Sequence, residues 1–194
     1  MAAPDERPDT ELIAAMRAGQ AEAFAALTER HRAPLLRCIA LLIGDASEAE
    51  SLTQETLARA LEHFDQFRPE LNFPAWLRGI ALNLARNHLR TRARHARPVP
   101  PQELGGAVAD SGRGVLSQLV RDELHARLWL AVGLLPGPYR EAFVLHYVDG
   151  LDYTTLSAVT GVSAGALRVR ALRARSLLRD QLGNVVDTWV RGGA

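Results

Sequence analysis

Apolar residues along this chain recur every three or four positions, and no useful length of strict alternation appears. That period belongs to amphipathic helices and argues against strands. Thr10 is placed to cap a first helix, "ELIAAMRAG", stopped by Gly19. A second runs from Ala21 to Ile43, with Phe24, Leu27, Leu35, Ile39 and Leu42 at helical spacing, and Pro34 is expected to kink or interrupt it. Gly44 and Asp45 read as a stop followed by a new cap, predicting a third helix from Ala46 to about Phe64. Its apolar face is Leu57, Leu61 and Phe64, while Glu48, Glu55 and Glu62 line another face. "DQFRPELNF" reads as a loop, and Pro74 opens a fourth helix reaching about Arg94, with Leu77, Ile80, Ala81 and Leu84 as its buried stripe.

The pattern then breaks. "RPVPPQELGGAVADSGRG", residues 97–114, is rich in proline, glycine and small polar residues and reads as a flexible linker. Helical periodicity resumes from about Val115 to Leu182. "LSQLVRDELHARLWLAVGLLP" predicts one helix, ended by Gly133 and Pro136, and Pro138 begins another that Gly150 stops. Asp152 caps "YTTLSAVTG", Gly161 ends it, and Ser163 caps a long last helix. The expected fold is therefore all-α: two small helical domains, residues 9–96 and 115–182, joined by the linker at 97–114.

Helix, short glycine turn, helix is the helix-turn-helix pattern. Gly161 supplies a left-handed backbone position, and the small Ser157 lets the two helices approach. On the last helix, Ala164, Leu167, Ala171, Ala174 and Leu178 form one apolar stripe. Arg168, Arg175 and Arg179 fall on one flank of it and Arg170 and Arg173 on the other, with Gly165, Val169 and Ser176 between them. Small residues let such a helix sink into a major groove while flanking cations meet the phosphates. A basic amphipathic helix also suits a membrane surface or an acidic partner.

The fourth helix is basic as well. Asn83, Arg86, Asn87 and Arg90 share a face, and amides and guanidinium groups pair base edges. Phe64, Phe67, Phe73 and Trp76 lie on or beside the preceding loop, where aromatics suit stacking on unpaired bases, and a core role stands beside that reading, above all for Phe64 and Trp76. Charge adds weight to this placement rather than to the whole chain. The formal net charge is only +1, yet residues 71–102 hold six arginines and no acid. All 23 basic residues are arginine.

Catalytic and metal motifs are missing. The sequence has no glycine-rich phosphate loop, no HExxH and no Cys/His cluster, so no enzyme, cofactor or metal is expected. Cys38 is alone in an apolar run and reads as a buried structural thiol. The acidic N-terminus lacks the apolar core of a signal peptide, and no apolar run reaches the length of a membrane span, so a cytoplasmic protein is expected.

At this point the sequence resembles a known family. "EAESLTQETLARALEHFDQFRPELNFPAWLRGIALNLARNHLR" is similar to region 2 of bacterial RNA polymerase sigma factors of the extracytoplasmic-function (ECF) group. "LLPGPYREAFVLHYVDGLDYTTLSAVTGVSAGALRVRALRARSLL" is similar to their region 4. The resemblance implies a transcription initiation factor that binds core RNA polymerase, directs it to promoters and helps open the DNA. By matching positions, Glu48, Glu50, Leu52, Gln54, Glu55 and Arg59 would dock on the polymerase. The aromatics Phe64, Phe67, Phe73 and Trp76, with Arg78, Asn83, Arg86, Asn87 and Arg90, would read the unpaired −10 element. Ser163, Gly165, Arg168, Val169, Arg170, Leu172, Arg173 and Arg175 would read the −35 element, with Arg173 nearest the bases. An anti-sigma factor is the expected inhibitory partner. Ser51 departs from the family's usual acid, and Ala166-Leu167-Arg168-Val169 replaces its favoured Thr-Val-Lys-Ser. Two other readings remain: a helix-turn-helix regulator acting without polymerase, and a sigma-like adaptor that no longer uses promoters.

Overall fold

The structure is a computed structural model, and it describes residues 5–68, 72–95, 123–183 and 186. Every regular element among them is helical. The linker expected at 97–114 lies outside the described residues, as does the start of the helix expected from Leu116.

The first block holds α1 (Asp9–Arg17), α2 (Ala21–Ile43), α3 (Ala46–Glu62) and α4 (Phe73–His95). Helix α1 starts one residue before Thr10, which sits inside the helix, and Pro8 occupies the cap without any side-chain bond. The Asp9 carboxylate turns away to Arg30 and to the His31 ring, at 2.6 and 2.7 Å. Helix α2 runs unbroken through Pro34. Leu35, Leu36, Cys38 and Ile39 directly after the proline are all buried, and their packing outweighs the one backbone bond that a proline removes. Gly44 then turns left-handed at φ 70° and Asp45 caps α3, its Oδ1 accepting the Ser47 and Glu48 N–H groups at 3.1 and 3.4 Å.

Helix α3 ends earlier than its apolar spacing suggests, and Phe64–Gln66 form a single 3-10 turn. Its buried side is Ala49, Leu52, Thr53, Thr56, Leu57 and Ala60, while Leu61 is exposed. The two threonines enter the core because each hydroxyl donates to the carbonyl four residues back, Thr53 to Ala49 and Thr56 to Leu52, both at 2.7 Å. Asn72 starts α4 by accepting the Ala75 N–H at 2.8 Å.

The second block holds α5 (Glu123–Leu134), α6 (Gly137–Phe143), α7 (Tyr153–Thr160) and α8 (Ala164–Leu182). Helix α6 widens at its end into a π turn, Val144–Val148, where the Asp149 N–H reaches back to the Val144 carbonyl. The expected caps form: Asp152 accepts from Thr154 and Thr155, Gly161 is left-handed at φ 72°, and Ser163 Oγ accepts from Ala166. Helix α8 packs on α5, α6 and α7 through Leu167, Ala171, Ala174 and Leu178.

The two blocks also pack on each other. Helix α2 meets α5, α6 and the π turn, and α4 meets α7. At the second contact Gly79 faces Val159, close enough that a Cβ on the glycine would lie 3.6 Å from Val159 Cγ1. Arg140 binds the seam from the other side, donating to the carbonyls of Leu42, Gly133 and Leu135 at 3.0, 2.6 and 3.0 Å. Desolvation in the seam lowers its pKa.

Candidate nucleic-acid interface

Helix α8 presents the surface its sequence pattern demands. With the apolar stripe inward, Ser163, Gly165, Arg168, Val169, Leu172 and Arg173 are exposed, and Arg170 and Arg175 are half-buried. Val169 and Leu172 show 49% and 52% of their surface, an apolar centre flanked by guanidinium groups. The second block holds two of these arginines in place. The Arg168 guanidinium lies over the Tyr153 ring at 5.3 Å, and that ring stacks on His146 at 4.1 Å. Arg173 donates to the Tyr139 hydroxyl at 3.4 Å. A cation held over an aromatic face loses less freedom when it meets a phosphate.

The aromatic group of the first block is a packed cluster. Phe67 and Phe73 are buried to within 4% and 1% of their surface, and Phe64 and Trp76 are half-buried against them. Phe73 lies 5.7 to 5.9 Å from the rings of His31, Phe67 and Trp76. The resemblance to sigma region 2 placed all four aromatics at the unpaired −10 element, while the residues themselves left a core role open. In this structure Phe67 and Phe73 are packed in the core, next to the 3-10 turn at Phe64–Gln66. Phe64 and Trp76 keep an accessible edge.

On α4 the candidate residues divide. Asn83, Asn87 and Arg90 are exposed, and Arg90 donates to the Asn87 side-chain oxygen. Arg86 is instead turned to the second block, where Nε and Nη2 donate to the two Glu141 carboxylate oxygens at 2.9 and 2.7 Å. Hydrogen bonding to Glu141 raises the Arg86 pKa. Arg78, also expected on DNA, is buried, and its Nε donates to Asp149 at 3.0 Å. Both side chains of that pair are 6% exposed. Burial works against the Arg78 cation, but Asp149 outweighs it and its pKa is raised. Cys38 lies under the same pair, and burial, with Asp149 adding to it, pushes its thiol well up.

A signal for this covering stands in the sequence. Leu77, Ala81 and Leu84 make the expected stripe, but Leu82 and Ala85 are buried too. A helix apolar beyond one stripe is packed from two sides.

The acidic helix α3 keeps Glu48, Gln54, Glu55 and Arg59 exposed, with Glu50 half-buried and Leu52 buried. Glu55 accepts from Arg59 at 2.7 Å, and Glu50 accepts from Arg32. No group of His, Cys, Asp and Glu among the described residues is placed to hold a metal. None of their helices is long and apolar enough to cross a membrane.

Two helical blocks, one ending in a basic helix-turn-helix and the other carrying a basic helix beside an acidic one, define a sigma-70-type transcription factor. Residues 27–95 match the family model of sigma-70 region 2, and residues 125–178 match that of sigma-70 region 4. The chain is 38% identical over 149 residues to the ECF RNA polymerase sigma factor EcfG of Rhodopseudomonas palustris, covering 75% of this chain and 77% of that protein. It is 30% identical over 186 residues to the RNA polymerase sigma-H factor of Pseudomonas aeruginosa, covering 91% and 95%. The chain belongs to the ECF RNA polymerase sigma factors, and it directs polymerase to promoters at the start of transcription. Among solved structures it is similar to the sigma factor RpoE in complex with the anti-sigma factor NepR from Bartonella quintana. The TM-score there is 0.67 and the identity 27%, covering 82% of this chain and 96% of that one. It is similar also to CnrH in complex with the cytosolic domain of CnrY, with a TM-score of 0.66 and 27% identity, covering 90% and 96%.

Proposed function

We propose that the two blocks divide the promoter between them, α8 reading the duplex −35 element and the α4 side holding the melted −10 strand. The observation that carries this reading is the exposed face of α8, where Val169 and Leu172 stand open between two rows of arginine. Arg173 meets base edges, and Arg168, Arg170 and Arg175 meet phosphates on either wall of the groove. On the first block, Asn83, Asn87 and Arg90 take base edges and backbone, and the accessible edges of Phe64 and Trp76 stack on a displaced base. The exposed acids of α3, Glu48 and Glu55, with Gln54 and Arg59, dock on core polymerase. The protein acts in the cytoplasm, has no catalysis of its own and carries no cofactor.

An anti-sigma factor holds the chain when it is not in use. One similar structure named above is a sigma factor in complex with an anti-sigma factor, and the other is likewise a complex with a second protein, which supports that reading. Run-off transcription tests the main proposal. Core polymerase with this protein and genomic promoter fragments is expected to give discrete transcripts whose start sites share two upstream elements. Binding to duplex DNA with no binding to core polymerase would instead establish a simple regulator.

A further inference from the structure

Glu141 and Asp149 belong to the second block, yet each sits on an arginine of α4 in the first. Glu141 takes two donors of the Arg86 fork, the arrangement by which a guanidinium binds a phosphate. Asp149 takes Arg78 two turns earlier on the same helix, in a pair closed to solvent. Around these pairs lie the Gly79–Val159 contact and the Arg140 bond to the Leu42 carbonyl across the seam. Arg168 and Arg173 on α8 remain exposed in the same arrangement.

We propose that Glu141 and Asp149 stand in for nucleic-acid phosphate on α4, so that closure of the blocks excludes the melted strand while leaving the duplex-reading helix free. The inference rests on the reading of α4 as a single-strand surface. The buried Arg78–Asp149 pair comes close to breaking even against hydration of its two charges, and the part-buried Arg86–Glu141 pair is partly screened by solvent, so a competitor for the two guanidinium groups can reverse closure. The strand is such a competitor, since it offers phosphates to the same guanidinium groups. In the closed chain its apparent affinity falls by the fraction of molecules that are open. Single-strand capture is thereby coupled to opening, and duplex binding is not.

The full chain tests this with Glu141→Gln and Asp149→Asn, separately and together, and with Glu62→Gln as an exposed control that changes charge equally. The probe is a fluorescent pool of single-stranded 12-nucleotide DNA of random sequence, followed by anisotropy, with the same pool as duplex in parallel. Small-angle X-ray scattering reports opening. The expected result is an expanded chain that binds the single strand about threefold or more tighter in each latch variant, with duplex affinity unchanged and Glu62→Gln like the parent. Variants that expand but bind the strand no better overturn the competition. Variants that stay closed overturn the role of the two carboxylates. If neither the parent nor an expanded variant binds the single strand at all, the fault lies in the reading of α4 itself.

Discussion

Replacing Phe73 by alanine separates a core ring from a base-stacking ring. Phe73 is 1% exposed and touches three aromatic neighbours within 6 Å, contributed by α2, the loop after α3 and α4 itself. Truncating such a ring costs about 3–5 kcal/mol, from lost transfer energy and the cavity left behind. The three ring contacts place it toward the upper end of that span, since aromatic pairs add about 0.5–1.5 kcal/mol beyond their buried area. A small domain holds only about 5–15 kcal/mol in total, so the loss takes a large share of the stability of the first block. A ring whose role is to stack on a base behaves otherwise, costing about 1–3 kcal/mol in single-strand affinity and little stability. Urea unfolding followed by tryptophan fluorescence is a suitable assay, because Trp76 sits in the cluster. Phe73→Leu serves as the milder partner and is expected to lose less than half as much. A loss below about 1 kcal/mol for Phe73→Ala, together with a tenfold fall in single-strand binding, would refute the placement in the core.

Other expectations follow from single contacts. Asp45→Ala removes the cap of α3 and is expected to cost about 0.5–2 kcal/mol at neutral pH in thermal or urea unfolding. The Asp45 carboxyl is held below its usual pKa, first by its bond from Ser47, so this contribution is present above the unfolded value and is lost as pH falls through the folded one. The difference between parent and variant is therefore expected to vanish in acid, and a difference that persists at low pH would point to another cause. Cys38 is wholly buried with a raised thiol pKa, so labelling by a thiol reagent at pH 8 is expected to be slow in the folded chain and complete in urea. Arg173→Ala should cost about 1–3 kcal/mol of discrimination at one −35 position, whereas Arg175→Ala weakens duplex binding across sequences and flattens its salt dependence. Footprinting and salt titration distinguish the two.

Elements set by local chemistry were readable in the sequence. The stops at Gly44, Gly150 and Gly161 and the caps at Asp45, Asp152 and Ser163 depend on residues within a turn of one another. The buried stripe of α8 follows from its period alone, and the exposed arginine face follows from the stripe. What the sequence withheld depends on distant partners. Arg78 looks like a surface cation until Asp149, 71 residues later, is brought against it, and Arg86 likewise meets Glu141 from 55 residues away. Leu61 sits at core spacing but faces outward, because Thr53 and Thr56 satisfy their hydroxyls within the helix and take the inward positions. Pro34 breaks a rule of local propensity and is overruled by the packing that follows it.

Helix α1 precedes the part of the chain matched to region 2, yet it holds that region's aromatic loop. Arg17 donates to the Phe67 carbonyl at 3.1 Å, Leu12 is fully buried, and Asp9 grips the His31 ring that lies on Phe73. A fragment cut at the matched boundary would keep every proposed DNA-contacting residue of the first block and lose the brace that shapes their loop. Substitutions in α1 can thus reshape the aromatic loop from a distance, with every residue of the loop left as it was.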